Sequence, residues 1–360
     1  MNMKHKAIFY LIAAMAFSTT ATAQQAVELK QEKMSKWDIG TANYSGITPI
    51  GNSQYALVSD KEPSDGFFVF TIIQNPATGE ITDINMESWK GNVTPKVDAA
   101  GMSVRDCEGI AYVPTTGTVF ISGEGDQEII EYSMEGQPKG RRLNVPAIFG
   151  RDKIVPNKGF EALSYSPVTH RFWTTTESSL KADGDAAGPD APTAQNRLRL
   201  QAFDDNLQPV AQYAYRMDRG RSEDFGQFYA LGVPEITALP SGRLLVLERE
   251  LNVTNGYMGS EVTCKLFLVD PTQSWQIDSS IALAGLDPNK FMLKQLLLTF
   301  KTVLTPFRQT YANYEGMCLG AKLADGRQTL LMVSDSQGGA GKGPVRLKDW
   351  IKVVILPDGI

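Results

Sequence analysis

A short pattern occurs five times along this chain, and a fold that accommodates it must repeat one supersecondary unit five times. The copies cover residues 44–49, 107–112, 160–165, 234–239 and 314–319. Four carry glutamate at the second position, as Glu108, Glu161, Glu235 and Glu315, and the first carries Ser45 there. Small and apolar residues follow, as a tightly packed inner strand requires. Each copy then meets a turn signal: Gly51-Asn52, Thr116-Gly117, Thr169-His170, Ser241-Gly242 or Asp325-Gly326. These are hairpin connections. The second strands predicted after them, at 55–59, 119–122, 172–176, 244–247 and 330–334, each run into an acid: Asp60, Glu124, Glu177, Glu248 and Asp335.

Third and fourth strands can be drawn after the hairpins, at 197–203 and 210–215 in the third repeat and at 265–269 and 276–281 in the fourth. Four antiparallel strands at this period describe the blade of a β-propeller. The expected fold is all-β, a single propeller domain over 24–360 with five four-stranded blades, six being left open. The long third and fourth repeats are assigned insertions. One is the Gly/Asp/Pro/Ala-rich loop 181–195, where Asp183-Gly184-Asp185 hints at a calcium loop without its closing Glu. The other is a short helix at 288–303 capped by Asp287. Residues 26–33 are expected to supply the last blade's outer strand and close the ring, because a propeller must leave no open edge.

Adjacent antiparallel strands place the start of one beside the end of the next. Glu108 with Glu124, Glu161 with Glu177, Glu235 with Glu248, and Glu315 with Asp335 are therefore expected at one rim, around the central axis. So many carboxylates cannot all ionise uncompensated, since like charges raise one another's pKa. An all-oxygen set suits Ca2+, which takes six to eight oxygens. The competing reading is that these glutamates cap backbone N–H groups between blades.

Composition narrows the chemistry. Lys4, His5 and Lys6, the apolar run 7–17 and Ala21-Thr22-Ala23 read as a signal peptide over 1–23, cut before Gln24. The expected location is then periplasmic or secreted. The run 296–304 is interrupted by Lys301, so no membrane insertion is expected. A formal net charge of −5 and a pI near 5.3 argue against nucleic acid as a partner. Only His170 remains after cleavage, in what reads as a surface hairpin turn, which excludes any two-histidine metal site. Cys107, Cys264 and Cys318 form no CxxC and read as buried thiols. Trp37, Trp89, Trp173, Trp275 and Trp350 read as packing residues.

Three stretches carry a resemblance. Asp106-Cys107-Glu108-Gly109-Ile110-Ala111-Tyr112, Gly159-Phe160-Glu161-Ala162-Leu163-Ser164 and Tyr314-Glu315-Gly316-Met317-Cys318-Leu319 resemble the phytase-like propeller family, described as having esterase-like activity. The likeness runs from about Tyr44 to Ile355. The five blades and inward glutamates are also similar to the calcium-activated nucleotidase (apyrase) propeller. The resemblance implies a secreted, calcium-dependent hydrolase of phosphate or other esters, acting as a monomer on a small molecule, with Glu108, Glu161 and Glu315 as candidate catalytic carboxylates.

A phosphate ester also needs cations nearby. Arg105, Lys158, Arg219, Arg221 and Arg308 precede inner strands, while Arg249 and Lys342 follow second strands. The first, second, third and fifth of these, with Arg249, are the candidate substrate-binding residues. By analogy, Ca2+ polarises the phosphate, Lys and Arg stabilise developing charge, and a carboxylate or a water on the ion attacks. Two other readings stay open: a calcium-dependent lactonase or other hydrolase, and a non-catalytic propeller binding a glycan or peptide at its rim.

Overall fold

The computed structural model describes residues 25–62, 65–92, 97 and 104–360. The expected signal peptide lies outside them. Two short strands, β1 (Val27–Glu28) and β2 (Glu32–Lys33), open the described chain. Blade 1 follows as β3 (Tyr44–Gly51), β4 (Gln54–Ser59), β5 (Gly66–Gln74) and β6 (Ile81–Gly91). Blade 2 is β7 (Cys107–Val113), β8 (Thr118–Gly123), β9 (Ile129–Ser133) and β10 (Pro138–Arg142). Blade 3 is β11 (Phe160–Ser166), β12 (Arg171–Thr176), β13 (Arg197–Phe203) and β14 (Pro209–Arg216). Blade 4 is β15 (Phe228–Ala238), β16 (Leu244–Val253), β17 (Glu261–Val269) and β18 (Lys294–Val303). Blade 5 is β19 (Asn313–Lys322), β20 (Gln328–Asp335) and β21 (Trp350–Ile355).

Each blade is an antiparallel meander in chain order. The fifth is completed from the other end of the chain: Val27 pairs with Ile355 and Glu32 with Ile351, both on β21. This is the closure expected of 26–33. The inner strands β3, β7, β11, β15 and β19 are successive neighbours around the axis, with β19 back beside β3. The ring has five blades, and aromatic and branched apolar side chains fill the spaces between them.

The inner strands approach too closely for a side chain at certain points. A Cβ on Gly46 would lie 2.3 Å from the Glu108 carbonyl oxygen, and one on Gly109 would lie 2.5 Å from that of Glu161. Glycine after the repeat position therefore has a packing cause.

The fourth blade departs from expectation. No helix covers 288–303. Asp287 does cap, accepting from Asn289 N at 2.9 Å, but only a single 3-10 turn follows, Pro288–Lys290. The chain then becomes β18, the blade's outer strand, pairing Lys265 with Thr299 and Val262 with Thr302. β18 carries Leu297 and Phe300 inward while Leu296 remains exposed, the partial alternation of a strand with one wet face. The segment 276–281, expected as the fourth strand, instead runs along blade 3, where Ile277 N donates to Gln212 O.

The loop at 181–195 is confirmed as an insertion between β12 and β13. Asp183, however, holds no calcium position: its two oxygens accept from Arg199 at 2.7 Å each, and Oδ1 also accepts from Leu283 N. The three cysteines are buried free thiols. His170 lies half exposed in the β11–β12 turn beside Asp205, at the opposite end of the hairpin from the acids. Trp275 is 67% exposed and so is no packing residue. Among the described residues no helix is long and apolar enough to cross a membrane.

Candidate active site

At the repeat position, or just before it in blade 4, the inner-strand register breaks in every blade. It shifts between Tyr44 and Gly46, Cys107 and Ile110, Phe160 and Ala162, Gly232 and Glu235, and Tyr314 and Gly316. A bulge adds one residue to one strand and re-aims a side chain. Ser45, Glu108, Glu161 and Glu315 fall at these irregularities. The partner strands end just beyond: Asp60, Glu124 and Glu177 lie one residue past theirs, and Asp335 is the last residue of β20. The chain thus brings the three glutamates of the first series and the four acids of the second to one mouth of the channel, around a cavity of about 270 Å³. Asp106, left-handed at φ 52°, adds a carboxylate from the loop into β7.

Two groups of these acids lie close enough to share an ion. Oxygens of Glu108, Glu124 and Glu161 fall within 4.8 Å of one another, and so do those of Asp60, Asp106 and Glu108. Glu108 belongs to both. Burial first, then repulsion from Glu161 and Asp60, drives Glu108 well above the usual carboxylate range. Burial and then Glu177 and Glu124 do the same to Glu161. Burial and Glu177 raise Glu124 to about 7, although Gly159 N donates to its Oε1 at 2.8 Å. Glu315 also reaches about 7 through burial, against the pull of Arg249. Asp335 is raised well above its usual value by burial and Glu315. Glu177 is the exception: burial would raise it, but Lys158 and Arg249 hold it below the usual range.

The donors fit a hard cation. They are all oxygen, mutually repelling and largely dry, and Asp60 Oδ1 is buried with no hydrogen bond of good geometry. Such a set gains from a divalent ion what it lacks in internal partners.

Blade 4 is different. Gly232 pairs with Arg249 and Glu235 with Leu247, so Pro234 stands at the bulge and Arg249 stands where the other blades place an acid. The sequence alignment of this repeat is therefore displaced by one residue. Glu235 is turned into the channel wall, where its Oε1 accepts from Leu163 N at 3.0 Å and Ile236 N at 2.9 Å. Glu248 lies in a cluster between blades 3 and 4, accepting from Tyr215 Oη at 2.6 Å, Asp218 N at 3.0 Å and Lys294 Nζ at 2.6 Å. Neither lines the cavity.

The cations also divide. Arg249 is buried in the mouth and bridges Glu177 and Glu315, at 2.5 Å to each, with Asn313 at 2.9 Å. Lys158 bonds Glu177 at 2.6 Å. Arg105 instead points into blade 2, donating to Asp126 at 2.8 Å and Ile121 O at 2.9 Å. Arg219 is exposed and bonds Thr193 O, Arg308 is exposed on the loop before β19, and Lys342 is exposed on the loop after β20. None of these four lines the cavity. Sequence reasoning missed Lys61, which bonds Asp60 and lies 3.8 Å from Asp106. It also left Asp60 and Asp106 out of the ligand set. Their signal was present: Asp60 ends a second strand, and Asp106 adjoins Glu108.

Fold and site together define a five-bladed propeller with carboxylates crowded at one mouth of its channel. The sequence model of the phytase-like family, described as "Esterase-like activity of phytase", matches residues 39–337. The chain belongs to that family. Comparison with curated proteins gives no match. Among solved structures the chain is similar to CoXyl43, a GH43 β-xylosidase/α-arabinofuranosidase from a compost microbial metagenome, at 10% identity and TM-score 0.42, covering 92% of this chain and 95% of that one. It is similar to Penicillium chrysogenum α-L-arabinanase at 12% identity and TM-score 0.40, covering 91% and 98%. For streptogramin B lyase the values are 13% and 0.35, covering 92% and 98%. Likenesses at this level carry no argument about activity.

Proposed function

We propose that this protein is an exported, calcium-dependent ester hydrolase that prefers phosphoric esters and works at the acidic mouth of the propeller. The observation that carries the reading is the convergence of Glu108, Glu124 and Glu161 within 4.8 Å, beside Asp60 and Asp106, in a family described by esterase-like activity. Export rests on the N-terminal sequence alone.

Glu108, Glu124 and Glu161 are the ligands proposed for Ca2+, with Asp60 and Asp106 extending the set through Glu108. A bound calcium ion would supply charge to hold and polarise an anionic ester head. Glu315, poised near neutrality beside Arg249, is suited to accept a proton from attacking water and return one to the leaving oxygen. The ester oxygen's bond to phosphorus breaks as that of the incoming water oxygen forms. Lys158 and Lys61 line the cavity and face the charge that develops. Glu177 and Arg249 are read as positioning residues, since each already satisfies the other.

The first test is unfolding of the EDTA-stripped mature protein with Ca2+ titrated back. A saturable rise in melting temperature supports the site, because a ligand at a hundredfold its Kd stabilises the native state by about 2.7 kcal/mol. Hydrolysis of phosphoesters that appears over the same Ca2+ range completes the case. No shift on titration sinks the calcium reading.

A further inference from the structure

The fourth blade's inner hairpin extends beyond the rim where the others stop. β15 has 11 residues and β16 has 10, against seven and six in blade 3. Side chains on a hairpin alternate between faces, and here the faces have different work. Tyr229, Glu250 and Asn252 fix the entering loop. Glu250 accepts from the Arg221 and Ser222 backbone N–H groups and from Tyr229 Oη, and Asn252 accepts from Gly226 N. The other face carries Arg249 and Leu251 from one strand and Gly232, Ala230 and Phe228 from the other, with Ala230 directly opposite Leu251. Phe228, Ala230 and Leu251 line the same cavity as the acids.

Ala230 and Leu251 are buried in the core, whereas Phe228 is 45% exposed. Phe228 lines the cavity mouth on a braced strand, so its half-exposed ring is placed to touch whatever enters among the polar groups. The charge balance points the same way. Eight carboxylates and three cationic side chains line the cavity. All three cations are already paired with lining carboxylates: Lys61 with Asp60, Lys158 with Glu177, and Arg249 with Glu177 and Glu315. With no cationic side chain of this lining left over for further anionic groups, the mouth suits one anionic head held among the acids through an ion, with an apolar body at the rim.

We propose that the substrate is an amphipathic monoester, its single anionic head among the carboxylates and ions of the mouth and its aryl or alkyl group laid against Phe228. This rests on the hydrolase reading of the same site and adds the substrate class to it. The test is calorimetric binding of non-hydrolysable probes with Ca2+ present. Phenylphosphonate should bind more tightly than methylphosphonate or inositol hexakisphosphate. Phe228→Ala, at an exposed position, should weaken phenylphosphonate about five- to tenfold and spare methylphosphonate. Equal affinity for the two phosphonates, no binding of either, or a Phe228→Ala effect that is absent or shared by both, overturns the proposal. Failure of the hydrolase reading shows separately, as an absence of Ca2+-dependent turnover while phenylphosphonate still binds.

Discussion

Blades 3 and 4 share a strand plan yet present opposite surfaces to the channel mouth. In blade 3 the bulge holds Glu161 and the residue after β12 is Glu177. In blade 4 the bulge holds Pro234, and Arg249 takes the place of Glu177. A one-residue difference in register changes which side chain faces the site, and here it replaces an acid with a guanidinium. That cation meets the acids on either side, Glu177 of blade 3 and Glu315 of blade 5. The acidic set is therefore an open arc closed by a cationic and apolar sector, and among the described residues the carboxylates close enough to share an ion lie in that arc.

The largest test of this contrast applies one substitution to both blades. Glu161→Gln removes an anionic donor from the arc, and hydrolysis is expected to fall by about a hundredfold or more, with the Ca2+-induced rise in melting temperature lost. Steady-state rates and the Ca2+ titration of the variant read both effects. A variant with normal turnover and a normal calcium shift removes Glu161 from the site.

Arg249→Met attacks the closing sector. The buried cation now compensates Glu177 and Glu315, and removing one partner of a buried pair costs about 3–5 kcal/mol. Urea unfolding without metal should show that loss. Ca2+ should restore part of it, because a cation again stands among the stranded carboxylates. A loss under 1 kcal/mol would mean that Arg249 is not what balances this side of the mouth.

Much of this arc was legible in the sequence because its determinants are local. Glu-Gly or Glu-Ala before an apolar residue, then a turn, then a strand running into an acid, marks the mouth in blades 2, 3 and 5. Blade 4 misled because Pro234-Glu235 imitates the pattern while the bulge falls one residue earlier, and a bulge leaves no mark in composition. Glu248 was read as a strand end because β16 looks complete there, although it continues to Val253. The error at 288–303 has a similar cause. Asp287-Pro288 is a sound helix start, but the three-leucine run 296–298 reads equally as strand, and pairing with β17 decided between them. Lys61 escaped notice because it lies between β4 and β5, in the blade whose repeat carries Ser45 in place of glutamate.

Dependence on pH separates the arc from the closing sector more gently. Glu124 and Glu315 rise to about 7 in the folded chain from 4.5. The folded state thus holds protons that the unfolded chain has released between those values. The stability they contribute is complete below pH 4.5 and is lost as pH climbs through 7. Metal-free protein should be about 1–3 kcal/mol more stable at pH 5 than at pH 8. Ca2+ should stabilise more at pH 8, where binding need not displace protons. Glu177, depressed by Lys158 and Arg249, acts oppositely and only below its ordinary range, outside this window. Thermal unfolding at the two pH values, with and without Ca2+, checks both signs. Equal metal-free stability would mean that the mouth is not crowded enough to hold protons.

The smallest effect is expected at Glu235, the residue that sequence pattern equates with Glu161. Burial raises its pKa well above the carboxylate range despite backbone N–H groups of Ile236, Leu163 and Met317 that favour the charge. A neutral side chain that accepts from those N–H groups satisfies the same partners. Glutamine has the same shape and an amide oxygen in the accepting position, so Glu235→Gln should alter stability by no more than about 1 kcal/mol. Ca2+ affinity and turnover should stay at the wild-type value, because no oxygen of Glu235 reaches the cavity. Calorimetric titration of Glu235→Gln beside Glu161→Gln gives the comparison in one experiment. A matching loss of calcium binding in both variants would return Glu235 to the ion site and undo the one-residue displacement on which the division of the mouth depends.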